Sequence, residues 1–348
     1  MKRITFYYFL LPAVLFLIAG CGNSSTNNQQ YPSRISLIFE TDMGNDTDDA
    51  LALDMLYKYT DMELINFLGV STNKDSPYSI EFLDLMNTWY GYPKLPMGKI
   101  TKGVDCENDA INFAKETCLY EEKGVSPFAR TYKDYGNIPE SPQFYRALLA
   151  KQPNQSVVIV SVGFSTNLSR LLDTPPDQFS PLTGKELVAQ KVKLLSMMAG
   201  HTQMESGFKE YNVVKDIPAA QKVFNKWPTP IVVSPFEVGI AAMIPASFFE
   251  THPDYATPHP LKIAYDSYMP QPYDRPTWDL TSVLFAVEGA DKYFNVSEKG
   301  RFEVDDEGQT RFVPDENGNH AYLSVNSEQI ENVKNRIITL LSQKPKNL

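Results

Sequence analysis

The chain contains 348 residues, 43% of them hydrophobic, and carries a formal net charge of −10 at pH 7. This length and apolar content are sufficient for a large core, and the acidic balance argues against a nucleic acid as partner. The length would allow two domains, but neither an internal repeat nor a second flexible segment divides the sequence. We therefore predict a single domain over residues 34–348.

The amino terminus has the features of a lipoprotein signal. Two basic residues precede an apolar run at residues 6–18, and small residues lead into Cys21. We predict that residues 1–20 are a cleaved signal peptide, that Cys21 is lipidated, and that the polar residues 21–33 form a flexible tether. An uncleaved membrane anchor is the alternative, but the run is short for a membrane span. The prediction places the protein in a bacterial cell envelope, anchored by lipid and facing the periplasm or the cell exterior.

A cluster of acids follows the first predicted strand, residues 35–39, and precedes a helix that packs on it. One or two acids would cap that helix, whereas a larger number indicates a bound cation. Carboxylates without histidine or cysteine favour calcium or magnesium. An EF-hand loop is excluded, because Asp49 and Ala50 stand where it needs a further ligand and a glycine. The acids of the cluster are Asp42, Asp46, Asp48 and Asp49.

Further apolar runs predict strands of a mostly parallel open sheet. The run at residues 157–162 is almost continuously apolar, as in strands that are covered on both faces. The other predicted strands lie at residues 64–70, 192–198 and 230–234. Amphipathic patterns predict flanking helices at residues 77–91, 216–224, 236–249 and 327–343. The predicted fold class is therefore α/β, with a mostly parallel open sheet flanked by helices.

The carboxyl-terminal part is predicted to form a small extension of β-hairpins followed by the last helix. Polar and apolar residues alternate over residues 293–325. Turns are predicted at Asp306-Glu307-Gly308 and at Asn317-Gly318, and both are interpreted as hairpin turns.

Polar residues also follow the later strands. Each can be interpreted either as an ordinary structural residue or as a functional one. Asn73 stands where an asparagine most often forms a turn, and Thr166 stands where a helix cap is usual. Glu210 and Asn212 would point to the same side of an extended segment, where they suit a polyol. Asp279 lies in the first turn of a predicted helix, which favours an acid on electrostatic grounds alone.

The acidic cluster resembles the motif Asp-Pro-Gly-x-Asp-Asp-Ala of the inosine-uridine-preferring nucleoside hydrolase family. The segment runs from Asp42 to Ala50, with Met43 in place of the proline and with Asn45 and Asp46 as two extra residues. Three later segments are similar to family motifs in the same order. They are Gly163-Phe164-Ser165-Thr166-Asn167, Glu210-Tyr211-Asn212 and Trp278-Asp279, where the family has Gly-Pro-Leu-Thr-Asn, Glu-Phe-Asn and His-Asp.

The resemblance implies a nucleoside hydrolase-like fold and a calcium-dependent hydrolase of N-glycosidic bonds in nucleosides or related ribosides. It implies that Asp42 is the general base beside a calcium-bound water. The implied calcium ligands are Asp42, Asp49, Asp279 and the backbone carbonyl of Thr166. The implied substrate-binding residues are Asp48, Asn73, Glu210 and Asn212. Trp278 departs from the family pattern and is a further candidate for substrate binding, by stacking on the leaving group.

Two departures from the family pattern bear on activity. Trp278 occupies the position of the histidine that assists the leaving base, and an indole cannot act as a general acid. His201 is the candidate substitute. Met204 stands where the family has a sugar-binding asparagine, with Gln203 as a neighbouring candidate. These departures leave two alternatives open, a calcium-dependent nucleoside- or sugar-binding lipoprotein without turnover and a hydrolase of another glycoside.

The expected partners are a small nucleoside or riboside and, through the lipid on Cys21, a membrane. The sequence leaves a monomer and a homo-oligomer both open. It also leaves open whether Cys106 and Cys118 form a disulfide, which an oxidising compartment would permit.

Overall fold

A mixed sheet of ten strands lies at the centre of the computed structural model, which describes Met1 and residues 34–105, 110–202, 207–251 and 258–346. The strand order is β3-β2-β1-β4-β5-β6-β10-β8-β9, with β7 paired to β10. The strands are β1 (Ile35–Thr41), β2 (Ile65–Thr72), β3 (Met97–Gly98), β4 (Val157–Ser161), β5 (Val192–Met198), β6 (Ile231–Ser234), β7 (Asn295–Val296), β8 (Gly300–Val304), β9 (Thr310–Pro314) and β10 (His320–Ser324).

All neighbouring strands from β3 to β10 are parallel, and β7, β8 and β9 pair in antiparallel fashion. This arrangement confirms the predicted α/β class with its mostly parallel open sheet. Because the parallel strands end at one edge, the loops after β1, β2, β4 and β5 converge there. That edge is where ligands bind in sheets of this type.

Helices cover both faces of the sheet. Alternate side chains of β1 enter different hydrophobic clusters, since Leu37 and Phe39 belong to one and Ile38 to the other. The strands therefore need apolar residues in succession. The helices are α1 (Asp48–Asp61), α2 (Pro77–Trp89), α3 (Phe113–Cys118), α4 (Ser141–Leu149), α5 (Thr166–Leu172), α6 (Gly184–Lys191), α7 (Tyr211–Val214), α8 (Ile217–Lys226), α9 (Phe236–Ala241), α10 (Ala246–Thr251), α11 (Pro260–Tyr268), α12 (Trp278–Glu288) and α13 (Ser327–Leu341).

The carboxyl-terminal extension confirms one predicted hairpin and corrects the other. β8 and β9 pair around the turn at Asp306-Glu307-Gly308. The turn at Asn317-Gly318 does not form a hairpin, because β10 passes β9 and pairs in parallel with β6. One edge of β8 pairs with β9. The other edge of β8 pairs with β10 at a single position, where His320 lies opposite Gly300.

The helix predicted over residues 236–249 is also corrected. It consists of two short helices, α9 and α10, separated by residues 242–245. Pro245 explains the break, because a proline disfavours helical backbone in the residue before it.

Several predictions concern residues outside the described ranges. The signal peptide, the lipidated Cys21 and the tether lie there, as does Cys106. Cys118 is a buried free thiol, whose Sγ lies 3.8 Å from the carbonyl oxygen of Tyr78. Within the described ranges, every helix is too short or too polar to cross a bilayer.

Candidate active site

The loop between β1 and α1 brings three aspartates to the ligand-binding edge. Asp42 follows the last residue of β1, and Asp48 and Asp49 open α1. The loop turns at Gly44, whose φ of +127° favours glycine. The Ser79 hydroxyl donates to the Met43 carbonyl at 2.5 Å and fastens the loop to α2. The predicted strand, acidic loop and helix are therefore present.

Three buried carboxylates form a candidate metal centre. Asp48, Asp49 and Asp279 each offer an oxygen, and these oxygens lie within 4.8 Å of one another. Asp279 comes from the first turn of α12, and its backbone N–H donates to Oδ2 of Asp48 at 3.2 Å. Burial first, and then repulsion from neighbouring aspartates of the site, raises the pKa of all three carboxyls. A bound cation would relieve both effects, and a donor set of carboxylate oxygens fits calcium or magnesium.

Asp42 lies beside this centre and carries a distinct hydrogen bond. Its Oδ2 accepts from Nδ2 of Asn45 at 2.9 Å. Burial raises its pKa to about 6. Its charge in turn raises the pKa values of Asp49 and Asp279. The sequence analysis assigned Asp42 to the metal and Asp48 to the substrate. The oxygens that lie within 4.8 Å of one another come from Asp48, Asp49 and Asp279, and both assigned roles stay predictions.

The carboxylates form one side of a cavity of about 400 Å³. This volume lies within the range of small-molecule sites. The described residues that line it are Asp42, Asn45, Asp46, Asp48, Asp49, Ala110, Ile111, Val162, Met198, Phe208, Lys209, Glu210, Tyr211, Asn212, Phe236, Tyr268, Trp278 and Asp279.

Aromatic rings line another part of the cavity. The rings of Phe236 and Trp278 stack with centroids 5.2 Å apart, and the ring of Phe208 lies 4.4 Å from that of Phe236. Nε1–H of Trp278 donates to the Phe236 carbonyl at 2.9 Å, so this proton is already engaged. Gly239 permits the close approach, since a Cβ there would lie 2.2 Å from Cδ1 of Trp278. The indole thus has a fixed position in the wall.

Glu210 and Asn212 both line the cavity, but the predicted extended segment is wrong. Residues 211–214 form the helical turn α7, and Glu210 caps it by accepting from the backbone N–H of Asn212 at 2.8 Å and of Val213 at 3.2 Å. Tyr211 therefore lines the cavity too. Nδ2 of Asn212 donates to the Val162 carbonyl at 3.0 Å, and burial raises the pKa of Glu210 to about 7.

Three predicted residues are not among the described cavity-lining side chains. Asn73 is fully buried, and its Nδ2 donates to Oε1 of Glu40 at 3.0 Å. Thr166 opens α5, and its hydroxyl donates to Oδ2 of Asp216 at 2.5 Å. His201 packs its ring 5.5 Å from that of Phe208. The sugar role of Asn73, the ligand role of Thr166 and the acid role of His201 stay predictions, and Gln203 and Met204 lie outside the described ranges.

Arg275 is a site residue that the sequence analysis missed. The guanidinium is buried, with Nη2 2.8 Å from Oδ2 of Asp46 and 3.8 Å from Oδ1 of Asp48. It lies 5.0 Å and 5.2 Å from the ring centres of Tyr268 and Trp278. Arg275 thus connects the acidic loop to the aromatic wall. Its position just before the Trp-Asp motif was the available sequence signal.

Glu40 is a second missed residue, buried in β1 directly behind the site. Its carboxylate accepts from the hydroxyl of Tyr145 and from Nδ2 of Asn73. Burial raises its pKa to about 7. A charged residue within an otherwise uncharged strand was the available signal.

Replacing Tyr145 with phenylalanine is expected to destabilise the fold by about 1–3 kcal/mol, because one Glu40 oxygen loses its buried donor. The loss should be larger at pH 8, where Glu40 is ionised, than at pH 5, where it is protonated. Urea unfolding at the two pH values measures this difference. Tyr120→Phe is the matched control, since that hydroxyl contacts Glu122 at the surface. An equal loss at both pH values would contradict the assigned contact with Glu40.

Comparison with solved structures supports the fold. Solved structures with similar folds include the plant nucleoside hydrolase PpNRh1, at TM-score 0.66 and 16% identity over 89% of this chain and 98% of that one. A purine-preferring ribonucleoside hydrolase from Gardnerella vaginalis has TM-score 0.66 and 15% identity over 88% and 98%. The type III effector protein XopQ, complexed with adenosine diphosphate ribose, has TM-score 0.63 and 14% identity over 89% and 94%.

The search of curated proteins found no match. The sequence model described as inosine-uridine preferring nucleoside hydrolase matches residues 37–334. This match spans the central sheet apart from the first two residues of β1, and it includes every residue of the candidate site. The chain therefore belongs to the inosine-uridine preferring nucleoside hydrolase family.

Proposed function

We propose that this protein is a calcium-dependent hydrolase of N-glycosidic bonds in nucleosides or related ribosides. Family membership supports N-glycosidic bond hydrolysis. Calcium dependence is proposed from the buried carboxylates of Asp48, Asp49 and Asp279. These carboxylates line one cavity together with Asp42. Carboxylates this close and this buried are costly unless a cation neutralises them.

Calcium would be held by Asp48, Asp49 and Asp279, with Asp42 and the Thr166 carbonyl as the further ligands that the family resemblance implies. When bound, the ion would supply positive charge that makes water a stronger acid. Asp42 would accept the proton from the attacking water as general base. Burial raises the pKa of Asp42 to about 6, which leaves it mostly ionised at neutral pH and strengthens it as a base.

Glu210 and Asn212 would bind the sugar hydroxyls at the rim of the same cavity. A carboxylate accepts a hydrogen bond from a hydroxyl, and an amide both accepts and donates hydrogen bonds. As the C1′–N bond breaks, the electron pair leaves with the base and the sugar gains oxocarbenium character. The surrounding carboxylates stabilise that positive charge, and water then supplies the new oxygen at C1′.

The aromatic wall would pack on the leaving base through Phe208, Phe236 and Trp278. The indole N–H is engaged by Phe236, so Trp278 would contribute surface rather than a proton. A leaving group that departs without prior protonation, such as the pyridine of nicotinamide riboside, is therefore favoured in the first test. The complex of XopQ with adenosine diphosphate ribose adds that compound to the candidates.

The same engaged N–H favours a second candidate function, a calcium-dependent binding lipoprotein that captures nucleosides or sugars without cleaving them. The presence of Asp42 argues against a binding function without turnover, because a binding protein needs no general base. A third candidate is hydrolysis of another glycoside at the same site.

The deciding experiment is release of reducing sugar from purine, pyrimidine and nicotinamide ribosides and from adenosine diphosphate ribose, with calcium and with a chelator. Calcium-dependent release from one of them would support the proposal and name its leaving group. A folded, calcium-loaded protein that binds a nucleoside but releases no sugar would support the binding function instead. Release that is equal with calcium and with chelator would contradict the metal requirement.

We further propose that Cys21 carries the lipid that anchors the protein in the bacterial envelope. The support is the small-residue segment before Cys21 and the apolar run before that. Metabolic labelling with a fatty acid analogue tests this, with Cys21→Ser as the variant. Labelling that persists in the variant would contradict it.

A further inference from the structure

We propose that Lys74 and Asn45 form a positioning pair that fixes the carboxylate of Asp42. The inference rests on the proposed function in treating Asp42 as part of the reaction machinery. Asn45 is one of the two residues by which the acidic loop exceeds the family motif. Lys74 follows β2 and reaches the loop from the neighbouring strand. Neither residue has a role in the mechanism described above.

The contacts form a chain from a buried cation to the base. Nζ of Lys74 donates to Oδ1 of Asn45 at 2.7 Å, and Nδ2 of Asn45 donates to Oδ2 of Asp42 at 2.9 Å. Lys74 is fully buried, and Asn45 is half-buried at the cavity.

The chemistry of the three groups dictates the direction of this chain. An ammonium group can only donate hydrogen bonds, so the amide of Asn45 must turn its oxygen toward Lys74. The NH₂ group must then face Asp42, whose ionised carboxylate can only accept. Without Lys74, the Asn45 oxygen would lose its buried donor, and the side chain would be free to turn away from Asp42. Lys74 therefore anchors Asn45 in the orientation that Asp42 requires, and Asn45 holds one oxygen of Asp42.

The other oxygen of Asp42 is confined on its far side. A Cβ at Gly163 would lie 2.7 Å from Oδ1 of Asp42 and 2.6 Å from Oδ1 of Asn73. Only glycine leaves room for this carboxylate. With Oδ2 held by Asn45 and Oδ1 placed against Gly163, rotation of the carboxylate is restricted. Such restriction is what a base needs if the attacking water is to meet it in one geometry.

The test is a double-mutant cycle with Asn45→Ala and Lys74→Met. Each single variant should lower kcat by roughly 10–100-fold with little change in KM, because the base is misplaced while the sugar contacts remain. The double variant should be only slightly slower than Asn45→Ala alone, because Lys74 acts mainly through Asn45 and adds a weaker direct attraction for the Asp42 carboxylate. Lys58→Met is the matched control, since Lys58 is a buried lysine paired with Asp54 away from the cavity. It should lower the melting temperature without this loss in kcat.

If the charge of Lys74 were its main effect on Asp42, the two losses would multiply, and that result would overturn the positioning role. Unchanged kcat in Lys74→Met would also overturn it. Crystal structures of the wild type and Lys74→Met give a readout independent of activity. The Asn45–Asp42 contact should be lost in the variant, and its persistence would contradict the proposal. If the wild type cleaves no riboside, the proposed function fails, and the crystal comparison alone decides the positioning pair.

Discussion

Asp42→Asn is expected to reduce kcat for riboside hydrolysis by roughly 10²–10⁴-fold, the usual contribution of a general base. The amide of asparagine cannot accept the proton that Asp42 would take from water. The shape of the side chain is nearly unchanged, so the fold should persist. Steady-state kinetics on the best substrate of the riboside panel, together with the melting temperature, measures both effects.

Asp173→Asn is the matched control for this prediction, because it makes the same chemical change in an exposed carboxylate paired with Lys222. It should leave kcat within twofold, as expected for a surface site. The Asp42 variant also separates enzyme from binding protein. A binding protein would retain affinity for a nucleoside, measured by calorimetry, and would have no turnover to lose. Unchanged turnover in Asp42→Asn would exclude it as the base.

Calcium removal is expected to have the second large effect, a loss of stability that grows with pH. Calcium at 100 times its Kd should stabilise the fold by about 2.7 kcal/mol. Asp48, Asp49 and Asp279 have raised pKa values in the metal-free site, so each binds a proton more tightly in the folded protein than in the unfolded one. Protonation of these three carboxyls therefore contributes to the free energy of unfolding. This contribution is complete below about pH 4 and is lost as the pH rises through the folded-state pKa values.

The metal-free protein should therefore lose stability as the pH is raised, and calcium should restore it most at the higher pH. Thermal unfolding at several pH values, with calcium and with chelator, measures this. Asp279→Asn is the informative variant, because it removes one ligand and one repelling charge. It should weaken the calcium effect and stabilise the metal-free protein at neutral pH. Equal melting temperatures with and without calcium would contradict the metal centre.

The parts of the site that the sequence revealed are those encoded locally. The strand before Asp42 and the helix after it follow from short apolar patterns, and Asp279 was identified by the resemblance of a short local motif to the family's His-Asp pair. Glu210 was misread because its role as a helix cap depends on residues 211–214 forming a turn, which two alternating polar residues do not reveal. Glu210 does line the cavity, but the extended backbone predicted for its segment is wrong.

The partners of the acidic loop could not be predicted, because they come from distant parts of the chain. Asp46 and Arg275 are 229 positions apart and meet only when α12 packs beside α1. Lys74 is close in space to Asn45 because β1 and β2 are neighbours. No local pattern distinguishes a buried lysine from a solvated one. The same limit applies to β10, whose pairing with β6 overrode the hairpin signal at Asn317-Gly318.

The position of β10 has a consequence for how the chain completes its sheet. β6 gains its outer neighbour only from a strand near the carboxyl terminus. A chain that ends before His320 would leave β6 with a row of unpaired N–H and C=O groups, and such an edge is a template for another chain. Nascent or truncated protein should therefore self-associate through β6. Only a chain that includes β10 can protect that edge in this way.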